Sequence, residues 1–352
     1  MSTQSRLENW IHRQWDHFGL TAALLSPLSL LFYGISRSRA HRMLPQRLPV
    51  PVVVVGNIYV GGTGKTPVTI TIVRELKKRG WHPGIISRGF GRQSGSVELV
   101  TGTSTAAEVG DEPLLIYQET GVPVAVGRCR YEAGKALLAA HPDIDVIVSD
   151  DGLQHTALAR DFEIAVVGTR GLGNGLVLPA GPLREPPSRL DRVDAIVLNT
   201  SSEVIVKSRT PRYAASSTFG ACRQLATGRT CSIDELSGRI AEENLKVLSA
   251  AGIAAPGRFF AMVRAHDIDG ATLELGDHFD FSSNPFAGRD EDIILITGKD
   301  AVKCRTHPEL SKDERLWVIE LDMHLDSYLI DSIEETIREV RNHPRPIHPK
   351  LA

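Results

Sequence analysis

Cysteine is scarce in this chain: Cys129, Cys222, Cys231 and Cys304 are the only four in 352 residues, and none stands in a C-x-x-C pair. That pattern excludes a disulfide framework and a cysteine zinc site, and leaves the thiols as small buried hydrophobes in a reducing compartment. Excess positive charge is missing too. Lysine and arginine number 40 against 42 acids, a net charge of -2, so the basic field of a nucleic-acid binder is absent and no nucleic acid is expected as partner. No internal repeat, low-complexity tract or Asn-Lys-x-Asp guanine motif occurs. An apolar run of bilayer length is also lacking: residues 20–33 are apolar but include Pro27 and fall short of the ~20 residues that a spanning helix needs. A secretory leader is not expected, because Glu8, Trp10, Trp15 and Asp16 precede that segment and no small-residue cleavage site follows it.

What is present starts at Val52-Val53-Val54-Val55, a β-branched run suited to a buried parallel strand, which breaks into Gly56-Asn57-Ile58-Tyr59-Val60-Gly61-Gly62-Thr63-Gly64-Lys65-Thr66. This reads as a phosphate-binding loop. Gly61, Gly62, Thr63 and Gly64 offer backbone N–H groups to a polyphosphate without Cβ obstruction, and the next helix presents its positive end. Lys65 then reaches the β- and γ-phosphates, and Thr66 a Mg²⁺ ion. The usual pattern wants glycine at position 59, where this chain has Tyr59, so Gly61 and Gly62 must shape the turn. A Gly-rich connection with a surface lysine is the competing reading, but strand, glycines, Lys-Thr and a following helical pattern occur together.

Strand-like runs at 83–87, 122–126, 145–149, 162–167 and 194–198 alternate with helical patterns at 68–79 and 131–141. That is the rhythm of a P-loop NTPase-like α/β fold, a parallel sheet with helices on both faces. A Pro/Arg-rich loop at 178–190 interrupts it, and composition loosens into Ser, Thr and Arg after about residue 201. A second α/β block opens near Asn244, with strands at 245–250, 292–297 and 316–321 and helices from Pro256 and Lys299. The expected parts are an N-terminal segment 1–47, a nucleotide-binding domain 48–220 and a smaller C-terminal α/β domain 221–352. Beside the apolar residues 20–33 stand Arg37, Arg39, Arg42 and Arg47. The residues leave two readings open: a helix lying in the interface of an anionic membrane, or a buried core helix with a solvated basic flank.

Acidic residues supply the second signal. Val146-Ile147-Val148-Ser149-Asp150-Asp151 is an apolar strand ending in carboxylates, the way a P-loop protein brings an acid to Mg²⁺ at the carboxyl edge of its sheet. Either aspartate fits, since neighbours on a strand point to opposite sides. His155, shortly after, is either a hydrogen-bonded structural residue or a phosphate contact. In Gly110-Asp111-Glu112-Pro113 two acids open a helix, where carboxylates suit the dipole anyway, but phosphoryl transfer to an alcohol gains from a carboxylate that takes the hydroxyl proton. Asp111 is the candidate. Arg184 and Glu185 form a pair in a Gly/Pro-fixed loop that could face an anionic substrate.

Taken in order, GNIYVGGTGKTP, SRGFGR, VGDEP, DDGLQH, LPAGPLRE, LSAAGIAAPGRFF, GDHFDF and TGKDAVKC resemble one family, the tetraacyldisaccharide 4'-kinases of lipid A synthesis, over residues 20–321 or so. The resemblance implies ATP- and Mg²⁺-dependent phosphorylation of the 4' hydroxyl of a lipid A disaccharide precursor, giving lipid IVA. It implies peripheral attachment to the cytoplasmic face of the inner membrane, which favours the interfacial reading of residues 20–33, and it implies no obligate protein partner. By the same resemblance Lys65 and Thr66 bind phosphate and metal, Asp111 is the catalytic carboxylate paired with His278, and Asp150 and Asp151 attend Mg²⁺. Glu112, His155, Arg184 and Glu185 become substrate contacts. Where the family commonly has Thr-Glu-Lys-Asp this chain has Thr297-Gly298-Lys299-Asp300, so any role for a carboxylate at 298 is absent. Two rival functions are a P-loop switch ATPase acting on a membrane, which leaves Asp111 and His278 without a task, and a soluble kinase of a small metabolite.

Overall fold

A computed structural model of the chain describes residues 14–15, 17–92, 94–200 and 204–343. Its strands are Val52–Gly56 (β1), Pro83–Ser87 (β2), Glu98–Leu99 (β3), Val124–Val126 (β4), Val146–Asp150 (β5), Phe162–Gly168 (β6), Ala195–Asn199 (β7), Arg212–Gln224 (β8), Thr230–Cys231 (β9), Val247–Ala251 (β10), Ala271–Glu274 (β11), Ile293–Thr297 (β12) and Leu316–Leu325 (β13). They join into one 13-stranded sheet in the order β11-β10-β12-β13-β8-β7-β6-β1-β5-β2-β4-β3, with β9 paired to β8. The pairs β3–β4, β8–β9 and β8–β13 are antiparallel, and the rest are parallel.

The β-branched run explains the centre of the first half. Val53 and Val55 enter one apolar cluster with Val68, Ile72 and Leu76 of the helix Lys65–Lys78, and Val52 and Val54 enter the opposite one with Leu137 of the helix Arg130–Ala140. Side chains of period two thus find a core on both faces, as parallel strands require. Burying each valine is worth about 1.5 to 3 kcal/mol, which commits β1 to the middle of the sheet. The second half repeats the alternation, with Leu295 packing on the side of Trp317 and Ile294 and Ile296 on the side of Phe286.

Two features were not legible from the sequence. The motif-free stretch after 201 contains β8, 13 residues long, which pairs in parallel with β7 through 212–214 and antiparallel with β13 from Ala215 onward. Only Ala215 and Cys222 along it are buried, so neither face carries an apolar period strong enough to read. Residue 220 lies inside this strand. The helix Ser327–Asn342 returns to the first half, placing Leu329, Ile330, Ile333 and Ile337 against the cluster of Val73 and Leu76, while Arg79 pairs with Asp331 at 2.6 Å and Glu334 at 2.9 Å.

The N-terminal helix spans Leu20–Arg42 and includes Pro27. Its stretch Leu20–Ser38 is long and apolar enough to cross a membrane by length and composition, which corrects the shorter apolar segment read from the sequence. Gly34, Ile35 and Ser36 extend it without adding charge. It is not a core helix. Leu20, Leu24, Leu28, Leu31 and Ile35 recur every three or four residues and are exposed, from 86% at Leu20 to 46% at Ile35. The protein-facing side holds buried Ala22 and Ser29 instead, the reverse of a surface helix packed by its apolar stripe. Ser29 Oγ donates to Val177 O at 2.8 Å and accepts from Ala180 N at 2.9 Å, and Trp15 Nε1 donates to Pro179 O at 3.2 Å. Arg47 is paired with Asp161 at 2.8 Å; Glu8, Trp10, Asp16 and the Arg39 side chain lie outside the described positions.

Candidate active site

Strand register brings the phosphate loop and the strand-end acids together, because Val55 of β1 pairs with Asp150 of β5, where β5 ends and one residue before β1 does. Gly64 has φ +85°, and a Cβ on it would fall 2.0 Å from Asn199 Nδ2, so no other residue fits. Asn199 Nδ2, from β7, donates to Thr63 O at 3.0 Å, and Asn57 Nδ2, just past the end of β1, to Thr63 Oγ1 at 3.0 Å, pinning the loop from two sides. Tyr59, at the position where glycine is usual, is buried and bridges to Leu183, while Gly61 (φ +108°) and Gly64 make the turns.

Asp150 is fully buried. Its Oδ1 accepts from Thr69 Oγ1 at 3.0 Å, and its Oδ2 has no hydrogen-bond partner. Burial pushes this carboxyl well above its ordinary range, Glu112 and Asp151 push the same way, and Lys65 opposes them. Asp151 behaves oppositely. Burial raises it, but Lys65, 3.6 Å away, and Arg184, 3.2 Å away, outweigh burial and hold it below the usual carboxylate range. Arg184 Nη1 also donates to Gln154 Oε1 at 3.3 Å, while Glu185 accepts from Gln154 Nε2 at 2.8 Å and pairs with Arg189 at 3.4 Å, outside the cavity lining. His155 lines the cavity, and its Nε2 accepts from Arg130 N at 3.2 Å. Burial, then Arg130, Arg160 and Arg88, press it down to about 4, so the imidazole is neutral at physiological pH.

Asp111 stands at the start of the helix Asp111–Thr120 and is 8% exposed. Its Oδ2 lies 2.9 Å from His278 Nδ1 and 2.7 Å from Lys303 Nζ. Burial raises the carboxyl, but the hydrogen bonds from His278 and Lys303 prevail and hold it at about 2. His278 sits at φ +58° with its ring 5.3 Å from that of Phe90; Lys299 Nζ lies 3.3 Å from its Nε2 and also reaches Asp277 at 3.2 Å and Glu112 at 3.7 Å.

The loop, Glu112 and Asp151 line one cleft of about 1000 Å³ between the two halves. Lys65, Thr66, Glu112, Asp151, His155 and Arg184 are on one wall, and His278 and Lys299 come from the other. Arg88, Arg128 and Arg130 line it too, with no carboxylate salt bridge to any of them among the described residues. Arg130 is 3% exposed and its Nε has no partner among the described residues, as is true of both Nη atoms of the nearby Arg92.

A family model described as tetraacyldisaccharide-1-P 4'-kinase (LpxK) matches residues 21–338. The chain belongs to that family. Tetraacyldisaccharide 4'-kinase of Janthinobacterium sp. (strain Marseille) is 46% identical over 342 residues, covering 95% of this chain and 97% of the relative. The protein of the same name from Dechloromonas aromatica (strain RCB) is 44% identical, covering 94% and 98%. Among solved structures, LpxK from Aquifex aeolicus, an "apo" form in complex with ATP, matches with TM-score 0.74 and 28% identity over 90% of this chain and 99% of that one.

For this LpxK-family chain the sequence singled out the phosphate loop, both strand-end acids, Asp111, His278, His155 and Arg184; the fold sets the loop, Asp151, His155, Arg184 and His278 in the cleft lining, and buries Asp150 beside Asp151 and Asp111 against His278. Glu185 stands one step back, against Gln154. Lys303, Lys299 and the arginines 88, 92, 128 and 130 went unassigned. SRGFGR and TGKDAVKC contained several of them, but a cation shows its partner only after folding.

Proposed function

We propose that the chain transfers the γ-phosphoryl group of ATP to the 4' hydroxyl of tetraacyldisaccharide 1-phosphate, yielding lipid IVA. The observation that carries the reading is the Asp111–His278 contact of 2.9 Å, a hydroxyl-activating pair whose histidine lines the same cleft as Lys65 and the phosphate loop. The acceptor oxygen bonds to the γ-phosphorus as the bond from that phosphorus to the bridging oxygen breaks, its electron pair leaving with ADP. The hydroxyl proton passes to Asp111. Lys65 and the loop N–H groups meet the charge that develops on the transferring phosphoryl oxygens. Arg88, Arg128 and Arg130, cations without carboxylate partners on the cleft wall, suit the acceptor's own phosphate.

A magnesium ion fits the residues present. Thr66 and Asp150, with Asp151 alongside, would hold it, and the partnerless buried Oδ2 of Asp150 is the oxygen best explained by such an ion. When bound it neutralises the phosphate oxygens. We also propose peripheral attachment to the cytoplasmic face of the inner membrane, supported by the exposed leucine stripe of the helix Leu20–Arg42 and by its Ser29 side being docked on the protein body, which suits a helix lying along the surface. Neither nucleic acid nor an obligate protein partner enters the proposal. The division near residue 220 is retained as a proposed boundary between a nucleotide-binding and an acceptor-side unit, close to where β8 changes partners.

The test is incubation with ATP and the tetraacylated disaccharide 1-phosphate in detergent, followed by mass spectrometry of the lipid. A lipid gaining one phosphate is expected. ADP release indifferent to the lipid overturns the reading in favour of a switch ATPase, and phosphorylation of a water-soluble sugar but not of the lipid overturns it in favour of a metabolite kinase.

A further inference from the structure

Asp111 has two carboxylate oxygens, and both of its partners crowd onto one of them. Oδ2 takes His278 Nδ1 at 2.9 Å and Lys303 Nζ at 2.7 Å, while Oδ1 has no hydrogen bond to any described residue. Lys303 lies on the helix Gly298–Cys304, and its side chain is 9% exposed. The same ammonium donates to Phe279 O at 2.7 Å, one residue beyond His278. One cation therefore ties the carboxylate to the backbone that carries the histidine, and that backbone needs tying, since His278 sits in the left-handed region.

We propose that Lys303 is a positioning residue for phosphoryl transfer, clamping Asp111 by Oδ2 so that Oδ1 faces the acceptor hydroxyl in its unprotonated form. The inference rests on the kinase reading above. The need for such a clamp is electrostatic. Glu112 lines the cleft, Asp150 is buried beside Asp151 of the same wall, and ATP would bring several further negative charges, all of which favour a proton on a buried carboxyl. The groups facing Asp111 directly are His278 and Lys303; those facing the Lys303 ammonium are Asp111, the buried Asp300 on its own helix and Asp280 of the loop that follows His278. Lys299 engages His278, Asp277 and Glu112 instead, so it does not duplicate the clamp. With Lys303 in place the carboxylate stays charged and aimed. Without it, His278 alone must do both.

The experiment compares wild type with Lys303→Met and Lys303→Arg, following kcat, KM for ATP and the pH profile of kcat/KM on the detergent-solubilised lipid. Lys303→Met should lower kcat about a hundredfold, within the usual range for disabling a positioned base, leave KM for ATP within about twofold, and move the acid limb of the profile upward by about one pH unit or more. Lys303→Arg should restore most of both. An unmoved acid limb in Lys303→Met, with or without loss of kcat, overturns the proposal, because a merely structural lysine would lower the rate without changing the ionisation. If Lys303→Met does not fold, Lys303→Gln, which keeps an N–H for Phe279 without the charge, is read the same way. Independently of any variant, the carbon-13 carboxyl signal of Asp111 in the wild-type protein should not titrate above pH 4, and a midpoint above that value overturns the clamp outright. Wild type that turns over no lipid at all would instead sink the kinase reading, whatever the carboxyl signal does.

Discussion

His278 Nδ1 lies 2.9 Å from Asp111 Oδ2, although 167 positions separate the two residues and they come from different halves of the chain. A contact of this kind exists only when both halves are assembled, so it ties the proposed proton acceptance to the assembled cleft. Asp111→Ala and His278→Ala should each reduce kcat by about a hundredfold or more with KM for ATP nearly unchanged, and the double variant should be hardly slower than the worse single one. Multiplicative losses in that cycle would show two independent contacts.

Asp150 offers a trade between stability and metal use. A carboxyl raised by burial costs stability as pH climbs through its folded value, while below the unfolded value near 4 it costs nothing. Asp150→Asn keeps the Thr69 hydroxyl within reach and removes the buried charge, so the metal-free variant should melt higher than wild type at pH 8 and nearly equal to it at pH 4. Its demand for Mg²⁺ in turnover should rise about tenfold or more. Thermal scans with EDTA and a magnesium titration of kcat check both halves, and an unchanged Mg²⁺ requirement would remove Asp150 from the metal site.

Leu28 is 52% exposed on the outer stripe of the N-terminal helix. A glutamate there meets solvent and not core, so Leu28→Glu should leave the melting temperature within a few degrees while reducing flotation with anionic vesicles severalfold and weakening turnover on lipid. ATP binding should be untouched. Unfolding of the variant, or undiminished flotation, would reject the lipid-facing role.

His155 is held neutral, at about 4, against an ordinary value of 6.5. Between those two values the unfolded chain binds a proton that the native imidazole refuses, so stability is complete above pH 6.5 and declines as pH falls toward 4. His155→Gln cannot take that proton, and its urea midpoint should vary less than that of wild type between pH 4.5 and 7. Parallel slopes would place the positive field of Arg130, Arg160 and Arg88 elsewhere.

Legibility followed locality. The phosphate loop could be read because strand, glycines and Lys-Thr are contiguous, and Asp150 because it ends the apolar strand that pairs with Val55. Asp111 was legible from its turn and from the demands of alcohol chemistry. Lys303 was not: on its own helix it is an ordinary last-turn lysine, and the carboxylate that gives it meaning is 192 positions away (303 minus 111). The outward leucines of the first helix could be counted but not oriented, since only the docking of Ala22 and Ser29 decides which side is out. β8 escaped because a strand with half-exposed faces leaves no period in its sequence.

β8 also joins the two walls of the cleft. The two halves share this one strand, bonded to β7 through its first residues and to β13 through the rest. Widening the gap between Lys65 and His278 therefore flexes a hydrogen-bonded ribbon and does not swing a slack tether. Such a ribbon stores the work of deformation and gives it back, so the jaw has a preferred resting width and a restoring force, and each catalytic cycle would begin from the same spring-loaded geometry.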